Sequence, residues 1–220
     1  MNIDFYKYQG TGNDFIILDN RNKQYSSITE QQVKFLCHRR FGIGADGLML
    51  LNLIDGYDFE MKYYNADGKE SSMCGNGGRC LVQFAYDLGI HKETYSFIAI
   101  DGPHEANFSH QRWVQLKMKD VKGLMKRHGN LILDTGSPHY VKLVDSVKDL
   151  DVVEEGKEIR YNDEFRSKGI NVNFVEQGRK TIIVRTYERG VEDETLSCGT
   201  GVTASALVCA HNDLALTMLT

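Results

Sequence analysis

The chain contains two copies of one pattern, separated by a constant interval. A cysteine followed by Gly-x-Gly occurs as CGNG at 74–77 and as CGTG at 198–201, and the two cysteines lie 198 − 74 = 124 positions apart. The same interval separates TGN at 11–13 from TGS at 135–137, each of which precedes a strand-like apolar run. Motifs repeated at one spacing in the same local context predict that the chain consists of two copies of one α/β unit.

Within each copy the pattern predicts short strands and one helix. Strands bounded by Gly, Asn or Asp are predicted at 15–19, 48–53, 59–64 and 95–100 in the first copy. An apolar helical run follows each CGxG motif, at 80–86 (ended by Gly89) and at 203–210. Because both runs are apolar nearly all round, each helix should be buried and wrapped by its own strands. The predicted fold class is α/β (α+β), with two pseudo-symmetric domains, each a mostly antiparallel β-sheet wrapped around a central buried helix.

The predicted domains are 1–120, which carries Cys74, and 121–220, which carries Cys198. Charged residues and glycines cluster at 117–129, where we place the boundary. The last residues, LALTMLT at 214–220, follow soon after the second helix.

Composition excludes several classes of function. The chain has 26 basic and 30 acidic residues, a net charge of −4, and its basic residues are scattered, so no basic stripe for nucleic acid is present. No apolar stretch approaches the roughly 20 residues of a membrane-spanning helix. The N-terminus is polar and acidic, unlike a secretory or transit peptide. We expect a cytoplasmic protein that binds a small molecule, with no nucleic-acid or membrane partner.

We expect two of the five cysteines to be reactive and the other three to be core residues. Five cysteines, an odd number without CxxC spacing, fit neither a disulfide framework nor a zinc ribbon, and we predict no metal. Free buried cysteines behave as small hydrophobic residues, which we expect of Cys37, Cys80 and Cys209. Cys74 and Cys198 instead stand where a Gly-rich turn meets a helix.

That position predicts an anion site with an activated thiol. The free N–H groups and dipole of a helix N-terminus favour a carboxylate and should lower the pKa of the cysteine from about 8.5. A phosphate cradle is the alternative, but no Walker lysine and no GxGxxG follows a strand. If the two copies face each other, one thiol can remove a proton from a substrate carbon while the other returns one to the opposite side. The sequence thus predicts a cofactor-independent amino-acid racemase or epimerase with Cys74 and Cys198 as the acid–base pair.

The chain resembles the diaminopimelate epimerase family from its first strand to its last helix. Family members normally continue through further strands, which 214–220 do not resemble, so the resemblance implies that the second copy is truncated at its C-terminus. The matching stretches are GTGNDF at 10–15, GIGADG at 42–47, YNADGKESSMCGNGGRC at 64–80, GSPH at 136–139, NVNF at 171–174 and YERGVEDETLSCGTG at 187–201. The resemblance implies the diaminopimelate epimerase-like fold and interconversion of LL- and meso-2,6-diaminopimelate, on the route to lysine and peptidoglycan. It implies no cofactor, neither pyridoxal phosphate nor metal. We leave a homodimer open.

The resemblance also assigns roles to the matching positions. Cys74 and Cys198 would be the acid–base pair, and Gly75, Asn76, Gly199 and Thr200 would bind the carboxylate at the reacting centre through backbone N–H groups. The rest of the substrate would be held by Asn13, Asn65, Asn171, Glu188 and Arg189. His139 and Glu188 would tune the protonation of the thiols.

Several of these residues have structural alternatives. Asn65 in NADG is also a turn residue, and we expect it to be turn and ligand together. Glu188 and Arg189 could form a solvated ion pair. Glu188 corresponds to Tyr64 in the repeat (188 − 64 = 124), which favours a position in the site. Asp46 in GIGADG is as compatible with a structural role as with a functional one. Ser137 stands where many relatives have Asn, and Gly47 where some have Gln.

Other functions remain as alternatives. A proline- or hydroxyproline-type racemase shares the fold and the paired thiols, although Arg189 and the NADG loop favour diaminopimelate. A catalytically impaired, truncated member would bind ligand without turnover. A thiol–disulfide redox protein would use the same two cysteines as its couple.

Overall fold

The computed structural model describes residues 2–109 and 111–212, and its chain divides into two compact units, Met1–Lys117 and Met118–Thr220. The predicted C-terminal truncation concerns residues 214–220, which lie outside the described residues. The described part of the chain contains no helix long and apolar enough to span a membrane. Each unit combines one mostly antiparallel sheet with helices, which confirms the predicted α/β class.

The described residues of unit 1 form one sheet and two helices. Its elements are β1 (Tyr6–Gly10), β2 (Asn13–Asp19), α1 (Glu30–Cys37), β3 (Gly47–Asn52), β4 (Phe59–Asn65), β5 (Glu70–Ser71), α2 (Gly75–Asp87), β6 (Thr94–Ala99), β7 (Gly102–Phe108) and β8 (Val114–Leu116). The strands pair in the order β1-β2-β3-β4-β6-β7-β8, with β5 also on β4. Only the β2–β3 and β4–β6 pairs are parallel.

Unit 2 has a smaller sheet and two helices among its described residues. Its elements are β9 (Met125–Arg127), β10 (Asn130–Asp134), β11 (Pro138–Leu143), α3 (Val152–Arg160), β12 (Asn171–Gln177), β13 (Ile182–Glu188), β14 (Asp193–Thr195) and α4 (Gly199–Asn212). The strand order is β14-β13-β12-β11-β10-β9, and only the β11–β12 pair is parallel.

The repeat extends through the secondary structure of both units. Seven elements of unit 1, from β1 to α2, have counterparts in unit 2 that begin 122 to 125 residues later: β10, β11, α3, β12, β13, β14 and α4. The direction of strand pairing recurs as well, since β2 and β3 are parallel, as are their counterparts β11 and β12. Each cysteine of a CGxG motif therefore directly precedes the corresponding helix.

Helix α2 is central to the core of unit 1. Its buried side chains include Leu81, Val82 and Phe84, which pack among residues of the surrounding strands. Leu88 caps its C-terminus and Gly89 follows with a φ of +90°, a conformation that glycine adopts at no steric cost. This matches the predicted helix end.

Helix α4 differs from the expectation that it is buried all round. Ala204 and Val208 are buried against β10–β13, but Val202 is 45% and Leu207 40% exposed. The cause is visible in the repeat: at Gly78, the counterpart of Val202, an added Cβ would lie 3.7 Å from Leu116 of β8. No counterparts of β6–β8 occur among the described residues of unit 2, so that side of α4 stays uncovered there.

Candidate active site

Cys74 lies immediately before α2, at the N-cap position. Its backbone is extended (φ −88°, ψ 126°), and its carbonyl accepts the first helical hydrogen bond, from the Gly78 N–H at 2.7 Å. Its side chain makes no capping hydrogen bond to the helix and is half-buried. Helix α2 begins at Gly75, so its first backbone N–H groups directly follow this thiol in the chain.

Asn13 and Asp46 determine what the Cys74 thiol contacts. The Asn13 amide nitrogen donates to Asp46 Oδ2 at 2.5 Å, and the backbone N–H of Asp14 donates to the same oxygen at 3.1 Å. This leaves Asn13 Oδ1 to accept a hydrogen bond from Cys74 Sγ at 3.7 Å. Asp46 therefore orients the amide of Asn13, which is one of the predicted substrate-binding residues.

Asp46 is itself held by Arg39, which also contacts Asp14. Arg39 donates to Asp14 and to Asp46, each at 2.7 Å. Burial alone would raise the pKa of Asp14, but hydrogen bonds from Arg39 and Lys7 outweigh it and lower that pKa to about 2. Asp14 is therefore ionised at neutral pH and shares the Arg39 guanidinium with Asp46.

Asn76 and Asn65 occupy different environments in unit 1. Asn76 is 5% exposed, and its Oδ1 accepts from Thr11 Oγ1 at 3.1 Å and from Arg79. Its side chain thus joins the TGN turn to the start of α2. Asn65 is exposed at the end of β4, in a tight turn closed by Gly68 N–H on its carbonyl at 2.9 Å. The next residue, Ala66, donates its N–H to the Asp46 carbonyl at 3.1 Å, which anchors the turn beside Asn13.

Cys198 lies immediately before α4 and is half-buried. Burial raises the pKa of the Cys198 thiol, and the negative charge of Glu188 raises it further. The Thr200 hydroxyl and the backbone N–H groups of Thr200 and Gly201 oppose the shift but do not overcome it. The expectation of a lowered pKa is therefore wrong for Cys198, because desolvation outweighs the helix N-terminus.

His139 is fully buried beneath Cys198. Its Nε2 lies 2.9 Å from Thr200 Oγ1, which in turn lies 3.4 Å from Cys198 Sγ. Its Nδ1 lies 3.0 Å from the amide nitrogen of Asn173. Burial lowers the pKa of His139 to about 4, against the opposing charge of Asp134. His139 is therefore a neutral imidazole connected to the thiol through Thr200.

Asn171 and Arg189 form a second cluster in unit 2. Asn171 is 3% exposed and donates to Ser137 Oγ at 2.8 Å and to the Pro138 carbonyl at 3.1 Å. Its Oδ1 accepts the Arg189 N–H at 2.9 Å, while the exposed guanidinium of Arg189 contacts the Lys168 carbonyl at 3.1 Å. Ser137 thus shares hydrogen bonds with Asn171, and Arg189 keeps an exposed cationic end.

The described structure places the predicted residues in two groups, one in each unit. Unit 1 brings together the first group, which consists of Asn13, Cys74, Gly75 and Asn76, with Asn65 in the adjoining turn. Unit 2 brings together the second group, which consists of His139, Asn171, Glu188, Arg189, Cys198, Gly199 and Thr200. Cys37, Cys80 and Cys209 are 3–4% exposed, which confirms them as core thiols.

Sequence reasoning missed two residues, Asn173 and Thr186. Thr186 Oγ1 donates to Asn173 Oδ1 at 2.9 Å, and both side chains are buried under the start of α4. A signal was present in the sequence, because Asn173 interrupts the apolar strand β12 at a position where the pattern predicts a core residue. Polar residues at such positions need internal partners, which points to a site.

The chain matches known sequences along most of its length. The family model described as diaminopimelate epimerase matches residues 5–122 and 131–217. A protein named diaminopimelate epimerase from Flavobacterium psychrophilum is 53% identical over 203 residues, covering 92% of this chain and 79% of the relative. One of the same name from Chlorobaculum tepidum is 47% identical over 207 residues, covering 90% of this chain and 80% of the relative.

Solved structures share the fold at low sequence identity. A phenazine biosynthesis protein of the PhzF family from Enterococcus faecalis has a TM-score of 0.66 at 12% identity, covering 96% of this chain and 83% of that one. A probable proline racemase from Agrobacterium radiobacter has a TM-score of 0.65 at 13% identity, covering 96% and 77%. At these identities the likeness shows the fold alone.

Proposed function

The chain belongs to the diaminopimelate epimerase family, and on that premise we propose that it interconverts LL- and meso-2,6-diaminopimelate, with Cys74 and Cys198 as its acid–base pair. It is accordingly an isomerase, in the biosynthesis of lysine and of peptidoglycan precursors. One observation carries the assignment of the pair. Each thiol directly precedes the helix that begins at the same point of its unit, at Gly75 and at Gly199.

The proposed reaction transfers two protons with no net change in charge. One cysteine, as thiolate, takes the α-proton and becomes a thiol, and the bond's electron pair stays on the α-carbon. The other cysteine, as thiol, donates its proton to the opposite side of that carbon and becomes a thiolate. N–H groups of Gly75, Asn76, Gly199 and Thr200 would bind the adjacent carboxylate and stabilise the carbanion.

The remaining polar residues would select the substrate. Asn13, Asn65, Asn171 and Glu188 supply donors and acceptors for ammonium and carboxylate groups. Arg189, with its exposed guanidinium, is suited to a second carboxylate, since it can bind one in bidentate fashion. A substrate with two amino-acid centres uses both kinds of group, which favours diaminopimelate over a single-centre amino acid.

A proline- or hydroxyproline-type racemase is the second candidate, supported only by the shared fold. A direct comparison separates the two. The purified 220-residue chain, without added cofactor, is incubated with LL-diaminopimelate, L-proline and trans-4-hydroxy-L-proline, and the stereoisomers are resolved by chiral chromatography. We expect conversion of diaminopimelate alone. Conversion of a proline substrate, or of none by a folded sample, would contradict the proposal.

The setting of the protein is part of the same proposal. All five cysteines are free thiols, which supports a reducing, cytoplasmic location. The net charge of −4 supports a small-molecule substrate rather than nucleic acid. Light scattering of the purified chain would test the homodimer.

A further inference from the structure

Beneath the start of α4 lies a row of polar side chains, buried as deeply as an ordinary core. Thr186 is 3% exposed, and Asn173 and His139 are fully buried. At the positions 124 residues earlier, Met49 corresponds to Asn173 and Phe15 to His139, and both belong to the hydrophobic core of unit 1. At these two positions unit 2 therefore has buried polar side chains where unit 1 has apolar packing.

The orientation of the Asn173 amide is fixed by groups whose hydrogen-bonding role is unambiguous. The backbone carbonyl of Tyr140, 3.1 Å away, can only accept, so the nitrogen of Asn173 must face it. The second N–H of that nitrogen is directed at His139 Nδ1, at 3.0 Å. The hydroxyl of Thr186 donates to Asn173 Oδ1 from the other side, at 2.9 Å.

This orientation determines the tautomer of His139. Because Nδ1 accepts a hydrogen bond from Asn173, it carries no proton. A neutral imidazole then carries its proton on Nε2, which lies 2.9 Å from Thr200 Oγ1 and donates to it. The backbone of Thr200 is held as well, since its carbonyl accepts from Thr135 Oγ1 at 2.8 Å.

The Thr200 hydroxyl must direct its own hydrogen away from the Nε2–H that it accepts. Cys198 Sγ, 3.4 Å from Thr200 Oγ1, is its partner. We propose that Asn173 and Thr186 are positioning residues that hold His139 as the Nε2–H tautomer and so direct the Thr200 hydroxyl to donate to the Cys198 sulfur.

A donated hydrogen bond stabilises the thiolate over the thiol. It counteracts burial and the charge of Glu188, both of which favour the thiol of Cys198. The charges of Asp134 and Arg189 act on His139, but burial keeps the imidazole neutral. The catalytic consequence rests on the proposed function, in which Cys198 must exist in both protonation states. The hydrogen-bond network does not depend on that function.

The tautomer can be observed in the unmodified chain. Long-range proton–nitrogen NMR spectra distinguish Nε2–H from Nδ1–H imidazoles, and the His139 signals can be assigned by their loss in His139→Gln. We expect the Nε2–H form at pH 7. The Nδ1–H form or an imidazolium would overturn the proposal, whatever the alkylation of other variants shows.

The effect on sulfur is read from the alkylation of Cys198 by iodoacetamide as a function of pH, with the Cys74 peptide as internal reference in mass spectrometry. Losing a hydrogen bond to a charged group corresponds to about one pKa unit, so Thr200→Val should slow alkylation of Cys198 about tenfold below its midpoint. Asn173→Met, which installs the side chain found in unit 1, should have the same effect. Thr200→Ser should restore the wild-type rate.

The double variant distinguishes positioning from independent effects. If Asn173 acts through Thr200, then Asn173→Met in a Thr200→Val background should slow alkylation no further. Ser205→Ala is the matched control, because Ser205 is also fully buried and donates to the Gly201 carbonyl at 2.7 Å, outside the network. It should leave the Cys198 profile unchanged.

Additive effects of the two substitutions, or a wild-type Cys198 profile in Asn173→Met, would overturn the proposal. The NMR tautomer and the alkylation profile are both measured without substrate. An altered profile together with absent diaminopimelate turnover would therefore reject the proposed function while supporting the network. Normal turnover with an Nδ1–H His139 would do the reverse.

Discussion

The amide nitrogen of Asn13 donates to Asp46 Oδ2 at 2.5 Å, which leaves the amide oxygen of Asn13 directed at Cys74 Sγ, 3.7 Å away. The two residues are 33 positions apart and meet because β2 and β3 pair in parallel, with Phe15 opposite Gly47. An acidic side chain that need not touch substrate thus determines how an amide meets the thiol.

Removing that carboxylate should disturb the site more than the fold. In Asp46→Ala the Asn13 amide can rotate, and we expect kcat/KM for diaminopimelate to fall about ten- to a hundredfold, since misplaced binding groups lose orientation. Arg39 keeps Asp14 as a partner. Glu105→Gln, which breaks an exposed ion pair with Lys117, is the control and should retain wild-type kinetics. Unchanged kinetics in Asp46→Ala would show that Asp46 does not orient Asn13 for catalysis.

The two CGxG motifs should differ in their tolerance of a methyl group. A Cβ on Gly201 would overlap Asn173 Oδ1, which is held in its network, so Gly201→Ala should cost about 1–3 kcal/mol of the free energy of unfolding. A Cβ on Gly77 would lie 3.1 Å from Met49 Sδ, the flexible end of a side chain. Gly77→Ala should therefore cost less, as measured by urea unfolding. Equal losses of unfolding free energy would mean that Asn173 can move away from a Cβ at position 201, and that its network does not hold it in place.

Stability should fall on acidification through His139. Its folded pKa is lowered by burial to about 4, from the ordinary 6.5 of the unfolded chain. Between these values the unfolded state binds a proton that the folded state excludes, so stability contributed above pH 6.5 is lost toward pH 4, by up to about 3 kcal/mol. Urea unfolding of wild type and His139→Gln across pH 4–8 checks this. A pH-independent difference between the two would contradict a neutral buried imidazole.

Arg189 should govern binding rather than the chemical step. Arg189→Lys keeps the charge but loses the planar fork, so we expect KM for diaminopimelate to rise about tenfold with a smaller change in kcat. Arg127→Lys is the control, because Arg127 forms an exposed pair with Glu164 in the same unit. A fall in kcat with an unchanged KM would assign Arg189 to the reaction itself.

The sequence predicts those features that depend on local pattern and on the repeat. The predicted strands at 15–19 and 59–64 match β2 and β4 within two residues, and both helices after the CGxG motifs form. These elements are specified by residues close together in the chain, namely apolar runs bounded by turn residues. The positions of Cys74 and Cys198 before their helices follow in the same way.

The rest depends on contacts between distant residues. The role of Asp46 requires the parallel register of β2 and β3, and the Asn173–His139 contact requires that of β11 and β12. Gly47 is another example, since the ring of Tyr63 would lie 2.5 Å from a Cβ at that position and excludes a larger residue. The pKa of Cys198 was predicted in the wrong direction, because the helix N-terminus is evident in the sequence whereas burial is not.

The central claim, that two thiols act as acid and base on opposite sides of the α-carbon, is tested most directly by conversion of LL-diaminopimelate in heavy water. At low conversion the product should carry deuterium at the inverted α-carbon while recovered substrate carries almost none, because the returned proton comes from the second, solvent-exchanged thiol. Cys74→Ala and Cys198→Ala should each abolish this conversion. Equal deuterium in recovered substrate and product, or conversion by either single variant at the wild-type rate, would contradict the account.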